Sequence, residues 1–310
     1  MASDQGPVVQ SALLRGELVR LRKDGELTQQ QVASDLEWSP SKLIRVEGGA
    51  SSITKVDLDA LLSRYGVSSE SQRERLHSLN RGAKERGWWD SYRDHVSAAY
   101  LNYIGFEAGA SFIRQFQIGF IPGLLQTPEY ARVVTAVGSV DPKQVDQFVE
   151  LRLQRQLKLA QRVAKPRQYF VIDEAVIRRH VGIKTNRVIM PEQLRSIADR
   201  AERDDRVTVR VIPFTSGAHP GLFDTFTLLE FEGGRLPDVL YLEAAREEFR
   251  MIAENDPRAA KYAEDFEELL DDALSEERSI ELMRGVAEEM SLGGGFLVAS
   301  KQVGPITLSA

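Results

Sequence analysis

A chain of 310 residues, 42% hydrophobic and 28% charged, has the make-up of about two packed domains and excludes a disordered or fibrous protein. Cysteine is absent, which excludes disulfides, thiolate metal sites and cysteine nucleophiles, and no apolar run approaches the length of a membrane span. The net charge of −6 argues against nucleic acid as a partner until its distribution is read: Glu243 to Met290 holds 16 acidic and 6 basic residues, net −10, which leaves the rest of the chain at +4.

The opening MASDQGPVVQ lacks a basic region followed by an apolar core, so no export signal is expected and the cytoplasm is the expected location. Leu14, Leu18 and Leu21 recur at helical spacing, and Gly25 breaks that helix. Thr28 is a good N-cap for a short second helix whose apolar face is Val32, Ala33 and Leu36. Ser39 and Pro40 open a third helix, Leu43 and Val46 point inward from it, and Gly48 and Gly49 end it. Leu58, Leu61, Leu62 and Tyr65 mark a further amphipathic helix closed by Gly66.

Two short helices joined by a tight turn inside a helical bundle predict a helix-turn-helix. Ala33 is small where the second and third helices cross. The third helix then exposes Pro40, Ser41, Ile44 and Arg45, with Lys42 at the edge of that face. The stretch LRKDGELTQQQVASDLEWSPSKLIRVEGG resembles the Cro/cI (XRE)-type helix-turn-helix family. The resemblance implies that Arg22 pairs with Glu47 as a scaffold link. It also implies a glycine-like turn at Glu37, where positive φ costs an ordinary residue about 1 kcal/mol.

In that frame, Arg45 can make two hydrogen bonds to a guanine, and Ser41 can bond several bases. Ile44 either packs on a thymine methyl or adds contact within the bundle. Thr28 and Gln29 sit where the second helix meets phosphates, Ser39 and Pro40 open the recognition helix, and Lys42 adds a charge-based phosphate contact. Met1 to Gly66 holds 9 acidic and 8 basic residues, so one module binds weakly alone and a homodimer on double-stranded DNA is expected.

Residues 67–87 read as a connecting helix, with Leu76 and Leu79 as a weak apolar face and Arg73, Arg75, Arg81, Lys84 and Arg86 as a solvated or phosphate-binding one. Beyond it, Trp88 and Trp89 read as core anchors, Tyr100 to Ala108 as a packed helix, and Val145 to Ala164 as a long helix. QYFVIDE, VTVRVIPF, TFTLLEF and PDVLYLE read as strands. With helices at Met190 to Arg203 and Asp256 to Met290, the expectation is a mainly α protein: a helix-turn-helix bundle over 1–66, then an α+β domain over 88–290 with a small mixed sheet.

The segments WWDSY, FEAGA, IPGLLQTPEYA, RLQRQ, VIDEAVIRR, RVIPF, HPGLFDTFTLLEF, PDVLYLE and DALS, in this order and spacing, resemble the antitoxin-like domain of unknown function DUF5753. That resemblance implies a transcription regulator encoded beside a small partner protein and supplies no chemical mechanism. The alternatives are a small-molecule-responsive repressor and an enzyme with an appended DNA-binding module.

No enzyme is expected, and no cofactor or metal. His77, His95, His180 and His219 have no zinc-ligand spacing, and no glycine-rich phosphate loop occurs. Asp173, Glu174 and Glu243 are more simply helix caps or partners of Arg178 and Arg179 than acids and bases. The turn His219-Pro220-Gly221 before Phe223 either lines a pocket or is only a tight turn.

Residues 291–310, SLGGGFLVASKQVGPITLSA, read as a glycine linker and two short β-prone pieces, or as a disordered tail. VASKQVGPITLS resembles the core of the small partner family DUF397. That implies a partner-like peptide in cis, docking on the second domain as added strands through Phe296, Val298, Ile306 and Leu308.

Overall fold

The computed structural model describes residues 6–138, 141–234, 236–243, 249–252 and 257–292. The tail anchors Phe296, Val298, Ile306 and Leu308 therefore lie outside the described residues.

The N-terminal part is all helical: α1 (Pro7–Asp24), α2 (Gln29–Asp35), α3 (Pro40–Glu47), α4 (Lys55–Arg64) and α5 (Glu70–Gly82). Each helix from α2 to α5 starts on a hydroxyl residue, Thr28, Ser39, Thr54 and Ser69, whose side chain accepts a backbone N–H of the first turn. Leu18, Val32, Leu43, Val46, Leu58, Leu61, Leu62 and Leu76 fill the core between them. The connecting helix α5 lies along α1 with Leu76 and Leu79 buried. It approaches so closely that a Cβ at Gly82 would overlap the Gln10 amide.

The second part comprises α6 (Ala98–Glu107), β1 (Phe112–Gln117), α7 (Pro128–Gly138), α8 (Pro142–Ala160), β2 (Arg167–Asp173), α9 (Glu174–Arg178), α10 (Ile189–Arg203), β3 (Val207–Ile212), β4 (Thr225–Glu230), β5 (Val239–Glu243), β6 (Phe249–Ile252), α11 (Pro257–Asp272) and α12 (Glu276–Ser291). Its sheet is six-stranded and mixed, in the order β3-β2-β1-β4-β5-β6. The βαβ crossovers make β1, β2 and β3 parallel, while β4, β5 and β6 run antiparallel to their neighbours. The domain is α+β, as expected, with two strands more than the four read from sequence. β1 is central and β6 is an edge.

Helix α11 covers one sheet face, where Phe116, Val171, Phe226, Leu228 and Leu240 meet Phe266 and Leu269. The other face is covered by α6, α8, α10 and α12, and its core is continuous with that of the N-terminal bundle. α1 makes the join. Its first turn lies on α6, where Val8 and Val9 occupy the space a side chain at Gly105 or Gly109 would need. Its far end carries Leu18 and Arg22 into the bundle. Trp89, buried in a 3-10 turn over Trp88–Tyr92, packs at the same join.

Candidate nucleic-acid interface

Thr28 and Gln31 form a complete capping box: the Gln31 N–H donates to the Thr28 hydroxyl at 3.1 Å, and the Thr28 N–H donates to the Gln31 side chain at 2.9 Å. This fixes the start of α2. The turn that follows reverses at Glu37, whose φ of 53° lies in the left-handed region, as the sequence position requires. The Trp38 N–H then closes on the Ala33 carbonyl at 2.8 Å. Ser39 caps α3 by accepting the Lys42 N–H at 3.3 Å, and Pro40 takes the first helical position.

Leu43 and Val46 are buried beneath α3. Pro40, Ser41, Ile44 and Arg45 are exposed on its outer side, Ile44 to 51%. Half of the Ile44 side chain is thus open to a partner and half packs on the bundle.

Arg22 and Glu47 form a two-bond ion pair, Nε to Oε1 at 2.7 Å and Nη2 to Oε2 at 3.0 Å, with both side chains largely buried. The pair clamps the end of α3 to α1. Arg22 also donates to the Leu27 carbonyl at 2.8 Å. The bond to Glu47 holds the guanidinium above the usual arginine range, against the pull of burial.

Two of the expected DNA-facing side chains are engaged in the fold. The Gln29 amide donates to Glu47 Oε2 at 2.7 Å, so Gln29 belongs to the clamp. Lys42 Nζ bonds Asp57 Oδ1 at 2.8 Å and lies 3.8 Å from the centre of the Trp38 ring. A phosphate must compete with that pair. The Lys42 bond in turn holds the Asp57 carboxyl below the usual aspartate range.

Sequence reasoning did not find the role of the start of α4. The Lys42–Asp57 pair sets its first turn beside that of α3, with Thr54, Lys55 and Val56 exposed. The spacing of Thr54 and Asp57, a hydroxyl three residues before an acid, is the readable signal. α3 thus lies between two helix N-termini, that of α2 near its end and that of α4 near its start, and such termini favour phosphate oxygens.

In the second domain, Asp173 caps α9 by accepting the Ala175 N–H at 2.7 Å, and its other oxygen faces His219 Nε2 at 3.3 Å. Glu174 is split between Arg178 at 2.9 Å and the Phe214 N–H at 2.8 Å. The turn 219–221 packs Gly221 against Phe116. Among the described residues no group of His, Asp and Glu is placed to hold a metal ion, and no helix is long and apolar enough to cross a membrane.

The N-terminal fold and the exposed face of α3 define a helix-turn-helix protein, and residues 13–76 match the helix-turn-helix domain family, which supports a DNA-binding regulator. That match extends through α4 into α5. Residues 100–285, more than half the chain, match the domain of unknown function DUF5753, and the chain belongs to that family. No curated protein and no solved structure matches it.

Proposed function

We propose that this chain is a cytoplasmic, sequence-specific transcription regulator of Cro/cI type that binds double-stranded DNA as a homodimer. The observation that carries the reading is α3: Leu43 and Val46 anchor one side while Pro40, Ser41, Ile44 and Arg45 present an exposed, reachable side. Arg45 reads a guanine, Ser41 and Ile44 read neighbouring base edges, Thr28 and Lys42 position the module on phosphates, and Gln29 holds the Arg22–Glu47 clamp behind them. The DUF5753 domain receives a small DUF397-like partner protein and catalyses nothing.

The test is selection of bound duplexes from a random pool. The wild-type chain should enrich paired half-sites at a fixed spacing, and Arg45→Ala should lose the preference at one base pair of each half-site. Enrichment of the same sequence by both proteins, or tight binding by a single copy, defeats the reading.

For the tail, the sheet offers unequal edges. At β3 the Val211 carbonyl already accepts the Leu274 N–H at 2.9 Å, and its N–H donates to the Ser279 hydroxyl at 3.0 Å. β6 is therefore the edge we propose for an added strand, with Phe296, Val298, Ile306 and Leu308 as its anchors. Deleting residues 293–310 should increase capture of the small partner, and unchanged affinity would overturn the mimicry.

A further inference from the structure

The helix-covered face of the sheet changes character along its strands. Near the start of β1 it is apolar, with Ile113, Leu229 and Val239 side by side across β1, β4 and β5. The next row is Gln115, Thr227 and Tyr241, all buried. Beyond it, the buried Gln117 amide donates to Glu243 Oε2 at 2.8 Å, and Thr225 lies opposite Glu243 in register. The reverse face of the same strands carries Phe116, Phe226 and Leu240. An interior position that could hold an aliphatic residue holds a polar one instead, and each polar group left unsatisfied there costs about 1–3 kcal/mol.

Helices α6 and α8 stand over this polar floor. Tyr103 stacks on Tyr241 with ring centroids 4.2 Å apart, and Tyr100 stacks on Tyr103 at 6.0 Å. Arg155 donates twice to Glu107, at 2.9 and 2.6 Å, and to the Tyr100 hydroxyl at 2.6 Å. Arg152, about one turn earlier on α8, bonds neutral acceptors among the described residues, Gln126 Oε1 at 2.8 Å and Thr135 Oγ1 at 3.2 Å, with Tyr100 beside it. Among the described residues Arg152 makes no ion pair, and Glu243 acts on it only at a distance. Burial pulls its guanidinium below the usual arginine range. Yet the group is reachable: Arg152 and Tyr100 are half-buried, and Glu243 is exposed. A cation set deep among protein atoms, open to solvent on one side and ringed by hydrogen-bonding groups, is prepared for an anion.

We propose that the open mouth of this polar bay binds a small organic anion, a carboxylate or a phosphate monoester, with its oxyanion held by Arg152 beside Tyr100. The bay is joined to the DNA-binding end by packed helices. α6 carries Tyr100, Tyr103 and Glu107, and its Gly105 and Gly109 seat Val8 and Val9 of α1. α1 continues to Arg22, which clamps Glu47 at the end of α3. The site goes beyond the partner-binding reading and is tested without DNA or partner.

Calorimetric titration of the full chain at constant ionic strength, with inorganic phosphate and separately with acetate, reads it out. At least one anion should bind saturably, and binding should fall ten-fold or more in Arg152→Gln while Arg203→Gln, on the exposed side of α10, leaves it unchanged. Saturation by phosphate alone assigns a phosphate ester, and by acetate alone a carboxylate. Should Arg152→Gln fail to fold, Tyr100→Phe, which keeps the ring stack, must show the same loss. No saturable binding of either anion, or equal binding by the Arg152 or Tyr100 variant and wild type, overturns the proposal.

Discussion

Among the described residues, two buried arginine–glutamate pairs perform the same chemistry in opposite settings. In the N-terminal bundle, Glu47 receives Arg22 and Gln29, and Arg22 gives a third N–H to the Leu27 carbonyl, so its one charge is matched by one carboxylate. In the second domain, Glu107 is matched by Arg155, but Arg152 stands beside them with neutral acceptors among the described residues. The first pair is a clasp between helices. The second is a clasp with a cation left over. An ion pair whose charges match one to one reads as architecture. One with spare capacity, deep and reachable, reads as a site.

Breaking each clasp should separate them further. The largest effect is expected from Glu107→Gln, which leaves Arg155 buried without a counter-charge. Unfolding by urea should show a loss of about 3–5 kcal/mol. The double variant Glu107→Gln/Arg155→Met should recover part of that loss, because it removes the stranded charge. Glu47→Gln, at a pair nearer the surface, should cost about 1.5–3 kcal/mol and weaken DNA binding in parallel. Equal costs at the two sites would erase the distinction drawn here.

The same contrast governed what the sequence revealed. The N-terminal bundle was legible because its rules are local: caps at Thr28 and Ser39, buried leucines at helical spacing, a left-handed turn at Glu37. The partners chosen across the fold were not. Nothing near Gln29 says that its amide will reach Glu47, and Lys42 finds Trp38 and Asp57 only once α3 and α4 are packed. In the second domain four strands were readable from β-branched runs. β1, FIRQFQ, was not, because Arg114, Gln115 and Gln117 break the apolar pattern a central strand should show. Those two glutamines floor the polar bay. The side chains that hide β1 from its local pattern are those that suggest a use for it, which is where local rules are expected to fail.

Recognition supplies the next two tests. Arg45→Ala should weaken operator binding by about 1–3 kcal/mol, measured by fluorescence anisotropy, and relax preference at one base pair. A uniform loss over all sequences would show that Arg45 touches phosphate instead. Glu37→Gly should act in the opposite direction, raising stability by up to about 1 kcal/mol in thermal unfolding, since glycine adopts φ of 53° without the penalty. It also removes a negative charge next to the DNA face, so affinity should rise as well. A loss of stability would mean that the Glu37 side chain makes a contribution larger than its backbone strain.

The smallest effect concerns Lys42 and Asp57, a pair more exposed than either clasp and hence worth about 0.2–1 kcal/mol. Its sign with pH follows from Asp57. The bond to Lys42 depresses that carboxyl below the ordinary aspartate value of 3.8. The pair's contribution is therefore complete above that value and is lost as pH falls through the depressed one. Lys42→Met leaves an aliphatic chain over Trp38 but removes the ammonium. The stability gap between wild type and Lys42→Met should be constant from neutral pH down to about pH 5 and narrow below pH 4 as Asp57 takes up its proton. On DNA the same variant should bind all sequences more weakly and show a reduced slope of affinity against salt, if phosphate outcompetes Asp57 for the ammonium. An unchanged salt slope would show that Lys42 stays with Asp57 in the complex and serves to seat α4 beside the recognition helix.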